Sequence, residues 1–519
     1  MRYFPGMAKK LRLTRASLPI IMVGIAVALY ISIFSFMSIR RIHVLWASYF
    51  DLGIMHQTVY NTYRSIQTLD PSRFLELTDP HESGRQIHRI AIHNDVLMAA
   101  IAPFYFLYSG PETLLIIQTI VLASGALALY FIAKIKTDTW PQDKRKLTTA
   151  LSVLLPIAYL LYYPMQKTNL YEFHAVTLAT GLILWMYLAY LRKKWAVCGL
   201  LFVASLLSKE QVGFSLGIFA FVEVLLVRAS HLWRWPFKKG FVSQYLQNAK
   251  VQVLTLVGIA SFVYVAVSVF VIMPAFRLGS EHFALNYFTG GDTSPLGLLG
   301  THAGRLFRME TIQYLWTILS PLLLLPLLSV YLLPAVPDIL INVLSESGNM
   351  RNMYFQYTAV ITPWLFIATV DTLSRIIPRI SVWKSTILVG GLMLCIMVSS
   401  ALESPLPYSR KHQNRLWYGQ ESERRDILLW QQILHDERIV VSATGQFAPY
   451  LTSRRVYYDF GKHYDKAEYV LVRPSEIQGY WVPGKLIPYY DKLINDERYI
   501  QIYNNNDIEV YKRISNTVQ

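Results

Sequence analysis

The sequence contains two cysteines, few charged residues and no glycine-rich phosphate loop, and each absence removes a class of protein. Cys198 and Cys395 both fall inside apolar runs, so the chain has neither a disulfide framework nor a cysteine metal knuckle. Charged residues make up only 16% of the chain, fewer than a soluble domain usually carries. Because no glycine-rich loop accompanies its strands, nothing in the sequence supports nucleotide binding.

Acidic residues are also scarce, 33 against 49 basic ones, which gives a formal net charge of +16. Such an excess can indicate nucleic-acid binding, but here Lys and Arg occupy short loops between apolar segments. Basic loops of this kind orient a protein in a membrane, because they stay on the cytoplasmic side. We therefore expect membrane lipids, and no nucleic acid, as partners.

Long apolar runs are what the sequence has in abundance. Apolar residues make up 53% of the chain, and the mean hydropathy is +0.32. A membrane span needs about 20 apolar residues, and the first run follows a basic N-terminus without a convincing signal-peptide cleavage site. The sequence predicts a polytopic α-helical membrane protein of about eleven spans, near 16–36, 112–134, 147–164, 174–191, 195–208, 212–228, 252–274, 312–331, 332–346, 354–374 and 384–402.

Loop charge assigns the two faces of the membrane. If Val96–Tyr108 lies in the outer interface and 195–208 crosses, all basic connectors fall on the same side as the N-terminus, as the positive-inside tendency requires. The sequence thus predicts an integral cytoplasmic-membrane protein with a cytoplasmic N-terminus. Its irregular polar segments lie outside, chiefly the first loop, 37–111, and everything after about 403.

Residues 403–519 change character and predict a small α/β extracytoplasmic domain beside a membrane domain of residues 1–402. Alternating and continuous apolar patterns indicate strands in this part of the chain. Four runs predict strands, the last two as a hairpin: 438–444, 468–472, 499–503 and 508–511.

Asp51 is the most informative single residue, because it is an acid in apolar surroundings shortly after the first span. A carboxylate at the outer edge of a bilayer, where apolar neighbours restrict water, suits a general base acting on a lipid-borne substrate. The plainer interpretation is a helix N-cap for the amphipathic segment Leu52–Ser65. Both roles stay open at this point, and they are compatible.

Two further outer turns carry candidate functional side chains. Glu172 and His174 border a span, where an interfacial polar residue needs no function. Lys209 and Glu210 are adjacent opposite charges in a very short turn, so they form either a local ion pair or a phosphate-binding ammonium near the membrane surface. Asp51, Glu172 and a histidine could also bind Mg²⁺ or Mn²⁺, although no ligand spacing indicates it.

Several short motifs, taken in order, resemble a known family. The matching segments are Phe50-Asp51-Leu52-Gly53 followed by Gln57, His93 ahead of Pro103-Phe104-Tyr105, Asn169 to His174, Lys209-Glu210, Met273-Pro274-Ala275-Phe276 and Pro337-Asp338. Over most of the chain this order resembles bacterial and archaeal predicted membrane proteins of the domain of unknown function 2079 family. That family is similar to the GT-C superfamily of membrane glycosyltransferases.

The resemblance implies a GT-C-like fold, in which a catalytic Asp follows the first span and juxtamembrane helices lie in the first outer loop. Asp51 takes the place of that Asp, and Val96–Tyr108 that of a juxtamembrane helix. Glu172 takes the place of a second acidic residue in the next outer loop. Gln211 stands where an Asp is expected, which argues against a metal role for that turn. The motifs add three further site candidates, Gln57, His93 and Glu210.

Together these inferences predict an inverting transferase that takes a sugar from a polyprenyl-phosphate carrier. The acceptor is a glycan, lipid or protein on the outer face. Asp51 would accept the proton of the acceptor hydroxyl, while Glu172 and His174 orient the acceptor or the base.

Three basic side chains are candidates for binding the donor phosphate. Lys209, helped by Arg277 or Arg305, would offset charge on the departing phosphate. The plainer interpretation of the two arginines is that they are interfacial charges facing lipid head groups. A transporter or lipid flippase and a non-catalytic scaffold are the alternatives, and a scaffold predicts that Asp51, Glu172 and Lys209 do not converge.

Overall fold

The computed structural model describes residues 18–80, 83–231, 248–277, 304–419 and 421–514. The first part of this chain is helical, and apolar side chains dominate most of its helices. Pro164 stands in the first turn of its helix, where the missing N–H is tolerated, and two helices meet there at 47°. The helices are α1 (Leu18–His43), α2 (Ile54–Thr68), α3 (Glu112–Thr137), α4 (Arg145–Leu161), α5 (Tyr163–Leu170), α6 (Ala175–Leu191), α7 (Trp195–Leu206) and α8 (Val212–His231).

The next helices are interrupted by prolines between residues 320 and 335. Pro321 and Pro326 begin short 3-10 turns, because proline cannot donate the hydrogen bond that would continue an α-helix. The prediction of one continuous span over 312–331 is therefore wrong. The helices are α9 (Ala249–Val267), α10 (Met273–Arg277), α11 (Met309–Leu319), α12 (Val336–Leu344), α13 (Ile361–Ile376) and α14 (Val382–Glu403).

Fewer helices are long enough to cross a bilayer than the sequence predicts. Among the described residues, five helices combine sufficient length with apolar composition, and the bent α4–α5 pair is a sixth if it counts as one span. Helix α7 has 12 residues, about 18 Å at 1.5 Å per residue, against a hydrocarbon thickness of about 30 Å. The five are Leu18–His43, Glu112–Thr137, Ala249–Arg277, Gln356–Arg379 and Val382–Glu403.

The segment between α1 and α3 contains the elements that position the candidate site. A π-helical turn, Tyr49–Gly53, leads directly into α2. A two-stranded antiparallel hairpin of β1 (Glu76–Thr78) and β2 (Gln86–His88) follows. Val96–Phe106 then forms a 3-10 helix, at the place where the sequence predicts a juxtamembrane helix.

The C-terminal part is a mixed five-stranded sheet with short helices. Its strand order is β4-β3-β5-β7-β6, with β4, β3 and β5 parallel and the last pairs antiparallel. All four predicted strands are present, and β4 is one that the sequence did not indicate. The elements are α15 (Asn414–Tyr418), α16 (Arg424–Ile433), β3 (Val441–Ala443), α17 (Ala448–Leu451), β4 (Tyr457–Asp459), β5 (Tyr469–Val472), α18 (Pro474–Gln478), α19 (Ile487–Ile494), β6 (Tyr499–Asn505) and β7 (Ile508–Arg513).

The two faces of this sheet pack against different layers, because successive strand residues point to opposite sides. Leu471 faces a core that it shares with α16, the Tyr49–Gly53 turn and the start of α3. Val470 and Val472 face the other core, which contains Leu493 of α19. One face of the sheet therefore rests on the loops at the ends of the apolar helices, and the opposite face carries α19.

Candidate functional site

Asp51 lies on the π-helical turn Tyr49–Gly53, whose other side is packed against the C-terminal part. Tyr49 and Leu52 are fully buried, so the turn directs Asp51 away from them. A Cβ atom at Gly53 would stand 3.0 Å from Ala448, and glycine is what allows this close approach. The motif thus combines the packing residues Leu52 and Gly53 with an acid that points away from them.

The carboxylate of Asp51 accepts two hydrogen bonds from the turn between α5 and α6. The Tyr171 hydroxyl donates to Oδ2, and Nε2 of His174 lies 3.0 Å from Oδ1. The two rings stack with centroids 5.5 Å apart, which fixes both donors in one orientation. Asp51 caps no helix, since α2 has Gly53 at its N-cap position without a side-chain bond. The helix-cap interpretation is therefore wrong.

Asp51 is held in its charged form. Its side chain is 22% exposed, and burial alone would raise its pKa. Three neighbours outweigh the effect of burial, so the pKa of Asp51 lies below its usual value. They are His174, through its hydrogen bond and its charge, the Tyr171 hydroxyl and the Arg41 charge. A carboxylate has about four acceptor positions, so two bonds leave room for a substrate hydroxyl.

Glu172 is buried beneath the Asp51 turn. Its carboxyl oxygen accepts the Leu52 N–H at 2.8 Å and the Ser48 N–H at 3.4 Å. Burial and the neighbouring Asp51 carboxylate raise the pKa of Glu172 to about 8, against the opposing Arg41 charge. The two adjacent carboxyl groups therefore have separated pKa values: near neutral pH Asp51 is ionised and Glu172 is protonated. Glu172 supports the turn that carries Asp51.

Arg41, at the end of α1, completes the cluster. Its guanidinium donates to the Tyr354 hydroxyl at 2.6 Å and lies 3.4 Å from Glu172. It also sits over three aromatic rings, with centroid distances of 4.8 Å to Trp46, 5.5 Å to Tyr171 and 5.4 Å to Tyr354. Such cation–π contacts are strongest where water is excluded. The cluster therefore holds a fixed positive charge beside Asp51.

Lys209, Glu210 and His93 form a second cluster, in which Glu210 is the anchor. One Glu210 oxygen lies 3.0 Å from Nδ1 of His93, and the other accepts the Asn94 N–H at 3.0 Å. Burial and the nearby Lys209 lower the pKa of His93 to about 4. The adjacent Gln211 donates to Asp338 of α12 at 2.8 Å. Glu210 therefore joins His93 rather than Lys209, against the local ion-pair interpretation of the sequence.

The other candidates are held by protein acceptors. Arg277 donates to the Ala91 carbonyl at 2.7 Å. Arg305 donates to the Leu344 carbonyl at 2.7 Å and pairs with Glu346. These contacts are typical of arginines that fix loops to the ends of helices.

Gln57 is fully buried between α2, β1 and the C-terminal part. Its amide donates to Thr78 and to the Arg455 carbonyl, at 3.1 and 3.0 Å. It also accepts the Thr78 N–H at 3.2 Å. With donor and acceptor both used inside the protein, Gln57 joins two parts of the chain.

The described residues offer little for a metal ion. No group of three His, Cys, Asp or Glu side chains in this part of the chain is arranged to hold one. Asp51 and His174 are only a pair, and Glu172 is committed to main-chain N–H groups. Divalent cations such as Mg²⁺ favour oxygen ligands in larger sets.

Sequence reasoning missed Arg41, Tyr171 and Tyr354. Arg41 carried a usable signal, because a buried charge at the end of an apolar helix is expensive and tends to be functional. Tyr171 lay inside the Asn169–His174 motif but was not singled out. Tyr354 had no local signal, since 313 residues separate it from Arg41.

Four solved protein chains have a fold similar to that of this chain. Among the four solved chains that match, ArnT from Cupriavidus metallidurans in the apo state, a GT-C glycosyltransferase, has a TM-score of 0.50 and 13% identity. The match covers 96% of this chain and 99% of ArnT. At this identity the likeness shows the fold alone.

The chain belongs to DUF2079, a family of predicted membrane proteins, whose family model matches residues 41–510. No curated protein matches the sequence.

Proposed function

We propose that this chain is a membrane glycosyltransferase that moves a sugar from a polyprenyl-phosphate donor to an acceptor on the outer face of the membrane. The single observation that carries the proposal is the Asp51 carboxylate, charged, partly exposed and oriented by Tyr171 and His174. The GT-C architecture provides the context for it.

The proposed reaction is a direct displacement with inversion at the anomeric carbon. The acceptor oxygen attacks that carbon, and the bond from carbon to the phosphate oxygen breaks. The bonding electrons leave with the polyprenyl phosphate, and the acceptor proton passes to Asp51. His174 and Tyr171 hold the carboxylate in place, and Glu172 positions the turn beneath it.

Donor phosphate recognition falls to Lys209 in this proposal. An ammonium is a compact point charge suited to phosphate, and no hydrogen bond or salt bridge of its side chain is found among the described residues. Arg277 and Arg305 serve the same region by holding its loops, through their contacts with Ala91 and Leu344.

In this proposal the protein lies in the cytoplasmic membrane with its N-terminus on the cytoplasmic side. Residues 403–519 form an extracytoplasmic domain that packs over the turn carrying Asp51. The bent α4–α5 pair and the shorter apolar helices account for further crossings, toward the eleven predicted, where the bilayer thins around them.

A divalent cation at Asp51, Glu172 and His174 stays a prediction. It requires Glu172 to release its main-chain partners when the ion binds. Activity measured with EDTA and with added Mg²⁺ or Mn²⁺ tests it.

The decisive experiment is carrier consumption by the purified protein supplied with defined polyprenyl-phosphate sugars. Asp51→Asn keeps the shape of the side chain but loses the base, so turnover falls by about 10² to 10⁴. Asp143→Asn, an exposed acid in the α3–α4 connection, is the matched control and retains full turnover. Equal turnover in both variants would contradict the base assignment. Movement of labelled lipid across the bilayer without loss of the sugar would instead support a flippase.

A further inference from the structure

Helix α16 carries exposed apolar side chains and an exposed arginine on its outer face, where they contribute nothing to the packing of the protein. Its inner face is used, because Ile427 and Trp430 pack into the core shared with the sheet. On the outer face, Leu429 is 46% and Ile433 48% exposed. Arg425, four residues before Leu429, is also exposed. Residues spaced by four form one stripe along a helix, here an arginine followed by two apolar side chains.

A groove of about 470 Å³ runs beside this stripe. Glu421, Arg424, Arg425, Leu428, Leu429 and Gln432 line it. Its volume is within the range of ligand-binding clefts. The lining combines guanidinium groups with leucine side chains, so it suits a ligand with an anionic part and an apolar part.

The groove lies at the level where apolar helices end. Arg40, near the end of α1, pairs with Glu421 and donates to the Gly419 carbonyl at 2.6 Å. Arg424 pairs with Glu421 at 2.6 Å and lies within electrostatic reach of Glu112, the first residue of α3. Helix α16 therefore begins at the junction of two candidate membrane spans.

The neighbouring surface is also apolar. Leu107 is 86% and Tyr108 58% exposed just before α3. The Tyr108 hydroxyl lies within electrostatic reach of Arg424. Exposed apolar and aromatic side chains beside arginines are the composition of helices that lie in the membrane interface.

Charge at the groove favours an anion. Of the charged residues that line the groove, Arg424 and Arg425 are basic and only Glu421 is acidic. The neighbouring Glu423 pairs with Arg473, and Asp426 accepts from Asn506. Among the described residues Arg425 has no hydrogen-bonding or charged partner. This positive excess lies beside the ends of two candidate spans, and the phosphates of lipid head groups are the anions expected at the end of a span.

We propose that α16 is a membrane-surface helix with its own phospholipid site. Leu429 and Ile433 enter the acyl boundary, while Arg424 and Arg425 bind the phosphate of an anionic phospholipid seated in the groove. A stable protein partner needs about 800 Å² on each side, which two apolar side chains do not provide. This inference is independent of the transfer chemistry at Asp51.

The test places a fluorophore on the full-length protein in lipid nanodiscs. With Cys198→Ser and Cys395→Ser as background, an NBD label is attached through Leu429→Cys or through Lys492→Cys. Lys492 is exposed on α19, which packs on the opposite face of the sheet. Nitroxide-bearing lipids should quench the label at 429 at least about twofold more than the label at 492.

The anionic part is tested by removing charge. In nanodiscs containing phosphatidylglycerol, Arg425→Gln should weaken bilayer association of the 429 label by about fivefold, since one surface arginine contributes that much. Lys492→Gln removes the same charge from the opposite face and should have no effect. In pure phosphatidylcholine both variants should behave like the parent.

Three results would overturn the proposal. Equal quenching by aqueous iodide at 429 and 492 places the helix in water. Equal effects of Arg425→Gln and Lys492→Gln leave no head-group site. A 429 label that is shielded from both iodide and nitroxide lipid indicates a second protein copy on this face.

Discussion

Replacing Glu172 by Gln tests whether the Glu172 side chain is a protonated carboxyl group or a carboxylate paired with Arg41. Glutamine has nearly the shape of the protonated acid and keeps an oxygen for the Leu52 N–H, which the native side chain accepts at 2.8 Å. If Glu172 is protonated near neutral pH, as its pKa of about 8 implies, Glu172→Gln changes stability little at pH 6.

The pKa shift of Glu172 sets how strongly the free energy of unfolding depends on pH. The folded-state pKa of Glu172 rises from 4.5 to about 8, so the folded protein binds more protons than the unfolded chain between these values. Its contribution is therefore fully present below about pH 4.5 and is lost as pH rises through 8. At 1.36 kcal/mol per pKa unit, the shift corresponds to a ceiling of about 5 kcal/mol.

The assay is unfolding of the detergent-solubilised protein, followed by intrinsic fluorescence between about pH 5 and pH 9. Wild type should lose stability as pH rises, and Glu172→Gln should lose less over the same range. Glu437→Gln is the control, because the contribution of Glu437 does not change over this pH range. Bonds to Arg73 and Arg64 help to hold the pKa of Glu437 at about 2 despite burial, so its contribution is lost only as the pH falls from 4.5 toward 2.

A loss of about 3 to 5 kcal/mol of stability in Glu172→Gln at pH 6 would show that Glu172 is not protonated there. That result is the signature of a buried ion pair that has lost one partner. Glu172 would then be ionised beside Arg41, and the division of charge with Asp51 would be wrong.

Three further predictions concern individual contacts. Tyr171→Phe removes a donor to Asp51 and should move the acidic limb of kcat/KM to higher pH by up to about one unit, with little change in the melting temperature; an unchanged profile would contradict this. Lys209→Ala should raise the donor KM, whereas Arg305→Ala should lower the melting temperature and leave KM unaltered; KM increases in both would put Arg305 at the phosphate. Gln57→Leu should cost about 1 to 3 kcal/mol of stability by leaving buried main-chain groups unpaired, and a normal unfolding curve would show that its bonds are replaceable.

Local patterns predicted much of the fold. Apolar length alone located the long helices α1, α3, α9 and α14, because burying a backbone in lipid leaves the helix as one of few options. The C-terminal hairpin followed from alternation around a polar turn. The 312–331 span failed because prolines, spaced through an apolar run, broke the helix that composition favoured.

The candidate site was predicted in position more than in organisation. Asp51, Glu172 and His174 lie in one cluster, where Glu172 supports the turn beneath Asp51. The expected convergence of Lys209 with Asp51 and Glu172 is not found among the contacts of the described residues, because Lys209 lies in the second cluster with Glu210 and His93. Arg277 and Arg305 were predicted as helpers of Lys209, since charge type carries no information about which acceptor a side chain meets. In the structure both arginines donate to main-chain carbonyls.

The sequence by itself determined that the chain is a membrane protein with an acid just beyond its first long helix. Composition and apolar run length suffice for that, because they act locally. Only the tertiary structure decided that Asp51 is charged and oriented. Its partners Tyr171 and His174 lie 120 and 123 residues away, and Arg41 reaches Tyr354 across 313. The burial of Asp51 and the charges around it determine its protonation, and both exist only after those distant segments have packed together.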